Sequence, residues 1–205
     1  MKPQPGNLPL IPIVILAAGA SSRMGKPKQL LSWNGMPLVN HIIQTAAQAG
    51  TGPVLVILGA HAEKIRPVLK KTPAIAVINN NWDSGPGSSI ATGISYIMQA
   101  LPQAKAAIIA LCDQPLLTAS HLQQIASVYR QQTSGVVASE YNQISGVPAL
   151  FDRQLFPALL NLPPAAGAQK IIAAANPVVT IPFPQGAYDI DTPNDLETVR
   201  KITAK

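Results

Sequence analysis

Residues Ile13 to Leu31, reading IVILAAGASSRMGKPKQLL, constrain this chain more than any other stretch. Ile13 to Leu16 is a continuous apolar run rich in β-branched residues, the pattern of a strand buried on both faces in a parallel sheet. It stops abruptly at Ala17-Ala18-Gly19, and small residues continue to Ser22 before Arg23, Gly25, Lys26 and Lys28. Small side chains let backbone amides approach an anion closely, and the cations beside them supply charge, so the stretch reads as a phosphate-binding loop after a strand. It is not a Walker loop, because five residues separate Gly19 from Gly25 and Pro27 follows Lys26. It is not a dinucleotide fingerprint either, since Ala20 and Ser21 follow Gly19 with no second glycine in place. A plain turn is the alternative. Against it, one arginine and two lysines crowd into Arg23 to Lys28 in a chain whose charged fraction is only 12%.

The rest of the chain alternates strand and helix patterns. Pro37 to Ala49 has apolar residues at helical spacing, opens on a proline suited to the first helical position and ends on Gly50. Val54 to Leu58 reads as a buried strand, His61 to Lys71 as a short basic helix and Ile75 to Ile78 as a third strand. The turn-rich segment Asn79 to Ser89 then feeds a helix over Ile90 to Leu101, with Ser88 or Ser89 as its N-cap. Ala106 to Leu111 is the fourth strand. Asp113 follows at its carboxyl tip, where the crevice of an open α/β sheet lies, and Pro115 prevents the strand from continuing. With Thr118 or Ser120 available to cap the next helix, His121 to Gln131, Asp113 is left without a structural duty. Val136 to Ser139 reads as a short strand, and Ile144 to Phe151 as extended chain with a Gly-x-Pro turn. Two short helices, Asp152 to Leu160 and Ala168 to Ala175, and a last strand, Val178 to Phe183, come next. In the closing helix Thr192 N-caps, Pro193 takes N1 and Asp195 sits at N3, which frees Asp189 and Asp191 for another role.

This order predicts a mostly parallel α/β sheet in one domain over residues 10–205, after a poorly ordered tail, Met1 to Pro9, that lacks the apolar core of a signal peptide. No apolar run nears the roughly 18 residues needed to cross a bilayer, so a soluble, cytoplasmic protein is expected. Cys112 is the single cysteine, which excludes an internal disulfide, and its apolar surroundings suit a buried thiol. The net charge of +6 could point to nucleic acid, but only 4% of residues are aromatic and the basic residues are scattered apart from Arg23 to Lys28 and Lys64 to Lys71. A small polyanionic substrate accounts for the charge better.

Three motifs in order, LAAGASSRMGKPKQLL, LCDQP and DIDTPNDL, make the chain from about Ile13 onward resemble the MobA-like nucleotidyltransferases. It is most similar to their MocA-type branch, the CTP:molybdopterin cytidylyltransferases. The positions on pattern in the first motif are Leu16, Ala17, Ala18, Gly19, Ser21, Arg23, Met24, Gly25 and Lys28. The resemblance implies a Rossmann-like three-layer α/β/α sandwich of the nucleotide-diphospho-sugar transferase type. It also implies transfer of CMP from CTP to the terminal phosphate of Mo-molybdopterin with release of pyrophosphate. The Ala17-Ala18-Gly19 form is the one associated with cytidine over guanosine. Two segments depart from the branch: Pro164-Ala165-Ala166-Gly167-Ala168-Gln169 replaces Gly-Asp-x-Gly-Ala-Arg, and Gly146-Val147-Pro148 replaces Gly-His-Pro. Both lie in the half expected to hold the acceptor.

On this reading Leu16 to Gly19, Ser21, Ser22, Arg23, Gly25, Lys28, Ser88 and Ser89 bind the nucleotide, with Lys28 and Arg23 also acting in catalysis. Asp113 and Asp191 hold Mg²⁺, which Mn²⁺ could replace, and Asp189 is a reserve ligand. Gly146, Pro148, Gly167 and Lys170 are the acceptor-side candidates. The attacking group is a phosphate monoester, ionised at neutral pH with a second pKa of about 6, so no general base is required and His41, His61 and His121 need no catalytic role. The partners expected are CTP, molybdopterin and a molybdoenzyme that receives the cofactor, with no nucleic acid and no membrane. Alternatives are a GTP-using or other phosphate-acceptor enzyme of the same fold, and a non-catalytic cofactor carrier.

Overall fold

The structure is a computed structural model that describes residues 8–131 and 134–203. The segment Met1 to Asn7, most of the expected tail, lies outside the described residues. Strand β1, Ile13–Ala17, is buried along nearly its whole length and is third from one edge of a seven-stranded sheet. A small hairpin follows, β2 (Ser32–Trp33) and β3 (Met36–Pro37), turning through Asn34 (φ 49°) and Gly35 (φ 79°). Positive φ at both central residues is the twist-matched hairpin turn that Asn-Gly favours. Helix α1 covers Leu38–Ala49, with Pro37 as N-cap rather than the first helical residue and Gly50 closing it in the left-handed conformation.

Strand β4 (Val54–Leu58), helix α2 (Ala62–Leu69) and strand β5 (Ile75–Ile78) complete one half of the sheet. Helix α3 runs Pro86–Ala100 and so starts four residues before the sequence reading placed it. Gly85 is its N-cap and Pro86 occupies the first turn, while the serines that looked like caps are already inside. Gly85 has φ +120°, and a Cβ there would sit 2.6 Å from the Pro164 carbonyl oxygen, so the helix start is seated directly on the 163–167 loop.

Strand β6 (Ala106–Leu111) and helix α4 (Ala119–Gln131) lead to a second hairpin, β7 (Val136–Tyr141) and β8 (Ile144–Asp152). The expected short strand and extended segment thus join as two full strands. The Gly-x-Pro segment becomes an irregularity in the ladder: pairing jumps from Ala138 opposite Ala149 to Ser139 opposite Gly146. Helices α5 (Phe156–Leu160) and α6 (Gln169–Ala174), strand β9 (Val178–Pro182) and helix α7 (Pro193–Thr203) close the chain.

The strand order is β5-β4-β1-β6-β8-β7-β9, and β8 alone runs against the others. Two buried clusters flank it. Ile13, Ile15, Val56, Ile108 and Leu150 pack toward α1, α2, α4 and α7, whereas Val14, Leu55, Ile57, Ile109 and Phe151 pack toward α3, α5 and α6. Alternate residues of one strand serve opposite faces, which is why the central strands carry no polar side chain and read as continuous apolar runs. The fold is therefore the expected three-layer α/β/α sandwich with a mostly parallel sheet. The carboxyl ends of β1, β4, β5 and β6 share one edge, where the loops 18–31, 59–61, 79–85 and 112–118 gather.

Candidate active site

The loop after β1 is held from within. Buried Gln29 donates from Nε2 to the carbonyls of Ala17 (2.9 Å) and Gly19 (3.0 Å), and its Oε1 accepts from Ser21 Oγ at 3.3 Å. Ser21, at φ 55°, also accepts the Lys28 backbone N–H at 3.1 Å. From outside, His61 Nε2 lies 2.8 Å from the Ala20 carbonyl, a contact it makes as a donor, and Ala60 N–H donates to the Ala18 carbonyl at 3.0 Å. The loop is thus shaped before any ligand arrives. Gln29 escaped the sequence reading because glutamine carries no phosphate signature, whereas His61, given no catalytic role there, braces the loop from outside. The Gln29 signal was its place directly after Lys28, inside the motif.

Lys28 Nζ donates to Asp113 Oδ2 and, at 2.9 Å, to Asp191 Oδ1. Arg23 Nη2 donates to Asp191 Oδ2 at 2.7 Å from an exposed position. Burial by itself would lower the Lys28 pKa, but Asp113 and then Asp191 outweigh it and hold the ammonium above its ordinary range. For Asp191, burial pulls upward and Lys28 and Arg23 pull further down, so its carboxyl lies below the usual range. Asp191 is placed by its own helix cap. Asp195 accepts from the backbone N–H groups of Asp191 (3.1 Å) and Thr192 (2.7 Å), while Asp195 N–H donates back to Thr192 Oγ1 at 3.3 Å. Ile190 N–H also donates to the Asp113 carbonyl at 2.9 Å, tying the two carboxylate-bearing segments together.

The donor set suits a hard divalent cation. Asp113 Oδ1 is buried without a hydrogen-bond partner, as is Asp189 Oδ1. Burial, then the charge of Asp113, pushes the Asp189 carboxyl up to about 6. Among the described residues no three His, Cys, Asp or Glu side chains form a ready-made metal cluster. Two carboxylates completed by phosphate oxygens and water are what Mg²⁺ commonly uses.

A cleft of about 360 Å³ lies beside these charges, and Leu16, Ala17, Ala18, Gly19, Lys28 and Asp113 are among its walls. Trp82, Pro86, Ser89, Leu111 and buried Cys112 line it as well. Trp82 reaches the loop because residue 59 is glycine: a Cβ there would meet Trp82 Cβ at 2.5 Å and the Ala18 carbonyl oxygen at 2.7 Å. Ser21, Ser22, Arg23 and Gly25 are outside the lining, since the 22–24 turn leads the chain away before Lys28 returns. Ser88 is also outside it: its hydroxyl donates to the Asn81 and Gly85 carbonyls and accepts from Asn79 Nδ2. Buried Asn79, not foreseen, also donates to Ser89 Oγ at 3.0 Å and ties the end of β5 to α3.

A second pocket, about 300 Å³, shares Leu16, Pro86 and Leu111 with the first and extends to β8 and α6. Gly146 and Gly167 line it. Pro148 does not: it is buried in β8, with its carbonyl accepting from Ser139 Oγ. Lys170 is exposed on α6 beyond the pocket, and Gln169 takes the lining position instead. A larger cavity, about 650 Å³, opens at the opposite end of β6 around Lys105, Tyr129 and Arg153. Size does not make it the reaction centre, because it contains neither the small-residue loop nor the carboxylates. His121, 6% exposed, contacts Ser139 Oγ at 2.7 Å and stacks on Phe183, and burial lowers its pKa to about 4, so it serves the core.

Comparisons with known proteins give the family and the fold. Residues 13–178 match the family described as MobA-like NTP transferase domain. The chain is 27% identical over 204 residues, 96% of each chain, to nicotine blue oxidoreductase of Paenarthrobacter nicotinovorans. It is 34% identical over 102 residues to a probable molybdenum cofactor guanylyltransferase of Bacillus cereus, a match covering 50% of this chain and 48% of that protein. Among solved structures, Rv0371c of Mycobacterium tuberculosis superposes with TM-score 0.78 at 26% identity, covering 93% of this chain and 98% of that one. A manganese complex of Rv0371c superposes with TM-score 0.75 at 26% identity, covering 94% and 98%.

Proposed function

Because this chain belongs to the MobA-like NTP transferase domain family, we propose that it transfers CMP from CTP to the terminal phosphate of Mo-molybdopterin and releases pyrophosphate. The observation that carries the reading is the meeting of Lys28 with Asp113 and Asp191 beside the braced loop at the carboxyl edge of the sheet. Residues 10–205 act as one catalytic unit. The amides of Ala18 and Gly19 and the Lys28 ammonium receive the triphosphate, and Trp82 and Ser89 wall the nucleoside end of the cleft. Asp113 and Asp191 would hold Mg²⁺ or Mn²⁺, with Asp189 near enough to assist, and the manganese complex of Rv0371c supports a divalent ion. Such an ion supplies charge neutralisation on the phosphates. An oxygen of the acceptor phosphate attacks the α-phosphorus, a new P–O bond forms, and the bond to the β-bridging oxygen breaks with its electron pair leaving on pyrophosphate. The attacking monoester is already ionised, so no side chain has to remove a proton. Lys28 stabilises the charge that builds on the leaving group.

The guanylyltransferase relatives favour GTP as the alternative donor. The near-full-length likeness to nicotine blue oxidoreductase favours a second reading, in which the cleft serves an oxidoreductase reaction instead of nucleotidyl transfer. Thermal shifts with CTP, GTP, NADH and NADPH, followed by pyrophosphate release with Mg²⁺ and molybdopterin, decide among these. Triphosphate binding without release with either nucleotide would identify a carrier and refute the transferase.

A further inference from the structure

The cavity of about 650 Å³ at the amino end of β6 carries a charge imbalance that the reaction site does not explain. Among the described residues Lys105, Arg130 and Arg153 line it against a single carboxylate, Asp152, which leaves two positive charges in excess. Asp152 is already engaged: its Oδ2 accepts from the Tyr129 hydroxyl at 2.6 Å and its Oδ1 from the Gln154 backbone N–H at 2.8 Å. Ion pairs among the described residues are confined to Arg23, Lys28, Asp113 and Asp191, so none of the three cations has a salt-bridge partner there. Arg153 is fixed in place, with Nη1 donating to the Ala104 carbonyl at 3.0 Å and the guanidinium carbon 5.8 Å from the centre of the Phe156 ring, yet most of its N–H donors stay uncommitted. The Arg130 Nε is buried and has no hydrogen-bond partner among the described residues, a costly arrangement unless an acceptor meets it. Backbone bonds hold the walls together: Arg153 N–H donates to the Lys105 carbonyl at 2.9 Å and Asp152 N–H to the Gly135 carbonyl at 2.8 Å.

We infer that this cavity is a second anion-binding site, which takes a small phosphomonoester on Lys105, Arg130 and Arg153 away from the reaction cleft. A phosphate monoester carries about −1.5 to −2 charge at neutral pH and so matches the two surplus positive charges, whereas a single carboxylate leaves one of them unmatched. Guanidinium groups present paired N–H donors to phosphate oxygens, and exposed Lys105 adds a point charge. A cavity of about 150 Å³ accommodates benzene, so one of about 650 Å³ has room for an organic body beside the phosphate, with Pro9 and Tyr129 on its wall. The three cations share one recess and do not form a stripe along the surface, which suits a discrete small molecule and not the backbone of a nucleic acid. Asp113 follows the opposite end of β6: at about 3.3 Å per residue, the six residues Ala106–Leu111 set the two sites roughly 20 Å apart. The site therefore binds its ligand whether or not the cleft transfers nucleotides.

The test follows the backbone amides of the full chain in ¹H–¹⁵N correlation spectra during titration with phenyl phosphate, in the absence of metal. Saturable shifts at Lys105, Gly135, Arg153 and Gln154 are expected, with a dissociation constant separate from any response at Gly19 and Lys28. Lys105→Glu, at an exposed position where folding is not at risk, cancels the surplus charge and should weaken that binding about tenfold, and Arg130→Gln should weaken it by a similar factor. Phthalate, which spreads two charges over separate carboxylates, should bind about tenfold more weakly than phenyl phosphate. Absence of saturable shifts around the cavity, an affinity unchanged in Lys105→Glu, or phthalate binding as tightly as phenyl phosphate overturns the assignment. Shifts confined to residues 18–28 place the anion in the reaction cleft alone and overturn it as well.

Discussion

Replacing Lys28 with methionine keeps an unbranched stem of similar length and removes the ammonium that joins Asp113 to Asp191. The Lys28 and Asp113 side chains are 15% and 17% exposed and that of Asp191 is 34% exposed. Losing one partner of a fully buried pair costs about 3–5 kcal/mol. Exposed pairs contribute only about 0–1 kcal/mol, so with Asp191 partly solvated the cost here is about 2–3 kcal/mol at neutral pH. In a domain of this size about 1 kcal/mol moves Tm by roughly 2–4 °C, which gives a fall of about 4–12 °C. The pH dependence identifies the cause. Lys28 has a folded pKa above its ordinary 10.5, so its contribution is complete below that value and is lost as pH rises through the folded pKa. Asp191 has a folded pKa below its ordinary 3.8, so its contribution is complete above 3.8 and disappears as pH falls through the depressed value. The Tm difference between wild type and Lys28→Met should form a plateau between these limits and close beyond them. Mg²⁺ should stabilise the variant more than the wild type, whose lysine already neutralises both carboxylates. A Tm difference of the same size at pH 7 and pH 2.5 would refute the reasoning, because packing alone would then explain the loss.

Asp113→Asn should reduce transfer by about 10²–10³-fold and weaken the response to Mg²⁺, measured as pyrophosphate release against metal concentration. Gly85→Ala should lower Tm and weaken nucleotide binding together, because its Cβ would crowd the Pro164 carbonyl where α3 begins; circular dichroism melting with and without nucleotide checks both effects. Asp189→Asn should change the pH profile of metal-free stability. The Asp189 pKa is raised to about 6, so the wild type loses stability as pH climbs from about 4 to 6, whereas the variant keeps it and overtakes the wild type above pH 6. Urea melts across that range would show the crossing.

The sequence made the central strands legible because a strand buried on both faces leaves no room for polar alternation, as in Val54 to Leu58. The small hairpin at Ser32 to Pro37 went unread although Asn34-Gly35 is a strong turn signal, because Pro37 drew attention as a helix start. The second hairpin turns through Asn142 and Gln143, both at positive φ without a glycine, so only long-range pairing with β6 and β7 could define β8. Helix α3 was read as starting late because Gly85-Pro86-Gly87 resembles loop, yet a proline in the first turn fits a helix start well. At the site, the motif resemblance singled out Lys28, Asp113 and Asp191, which the fold brings into contact. The neutral residues that brace the segments around them are buried supports whose importance appears only in the contacts they make: Gln29 within the loop after β1, Asn79 between β5 and α3, and Gln114, whose Nε2 donates to the Gly186 carbonyl at 3.2 Å.

Lys28 is separated from its two carboxylate partners by 85 and 163 residues of chain. A peptide spanning only the loop after β1 cannot reconstitute such a centre, and neither can a sheet that lacks the stretch beyond β9. Reactivity here belongs to the closure of the whole chain. A modest loosening around α7 would silence the protein before spectroscopy registered the loss of a single strand.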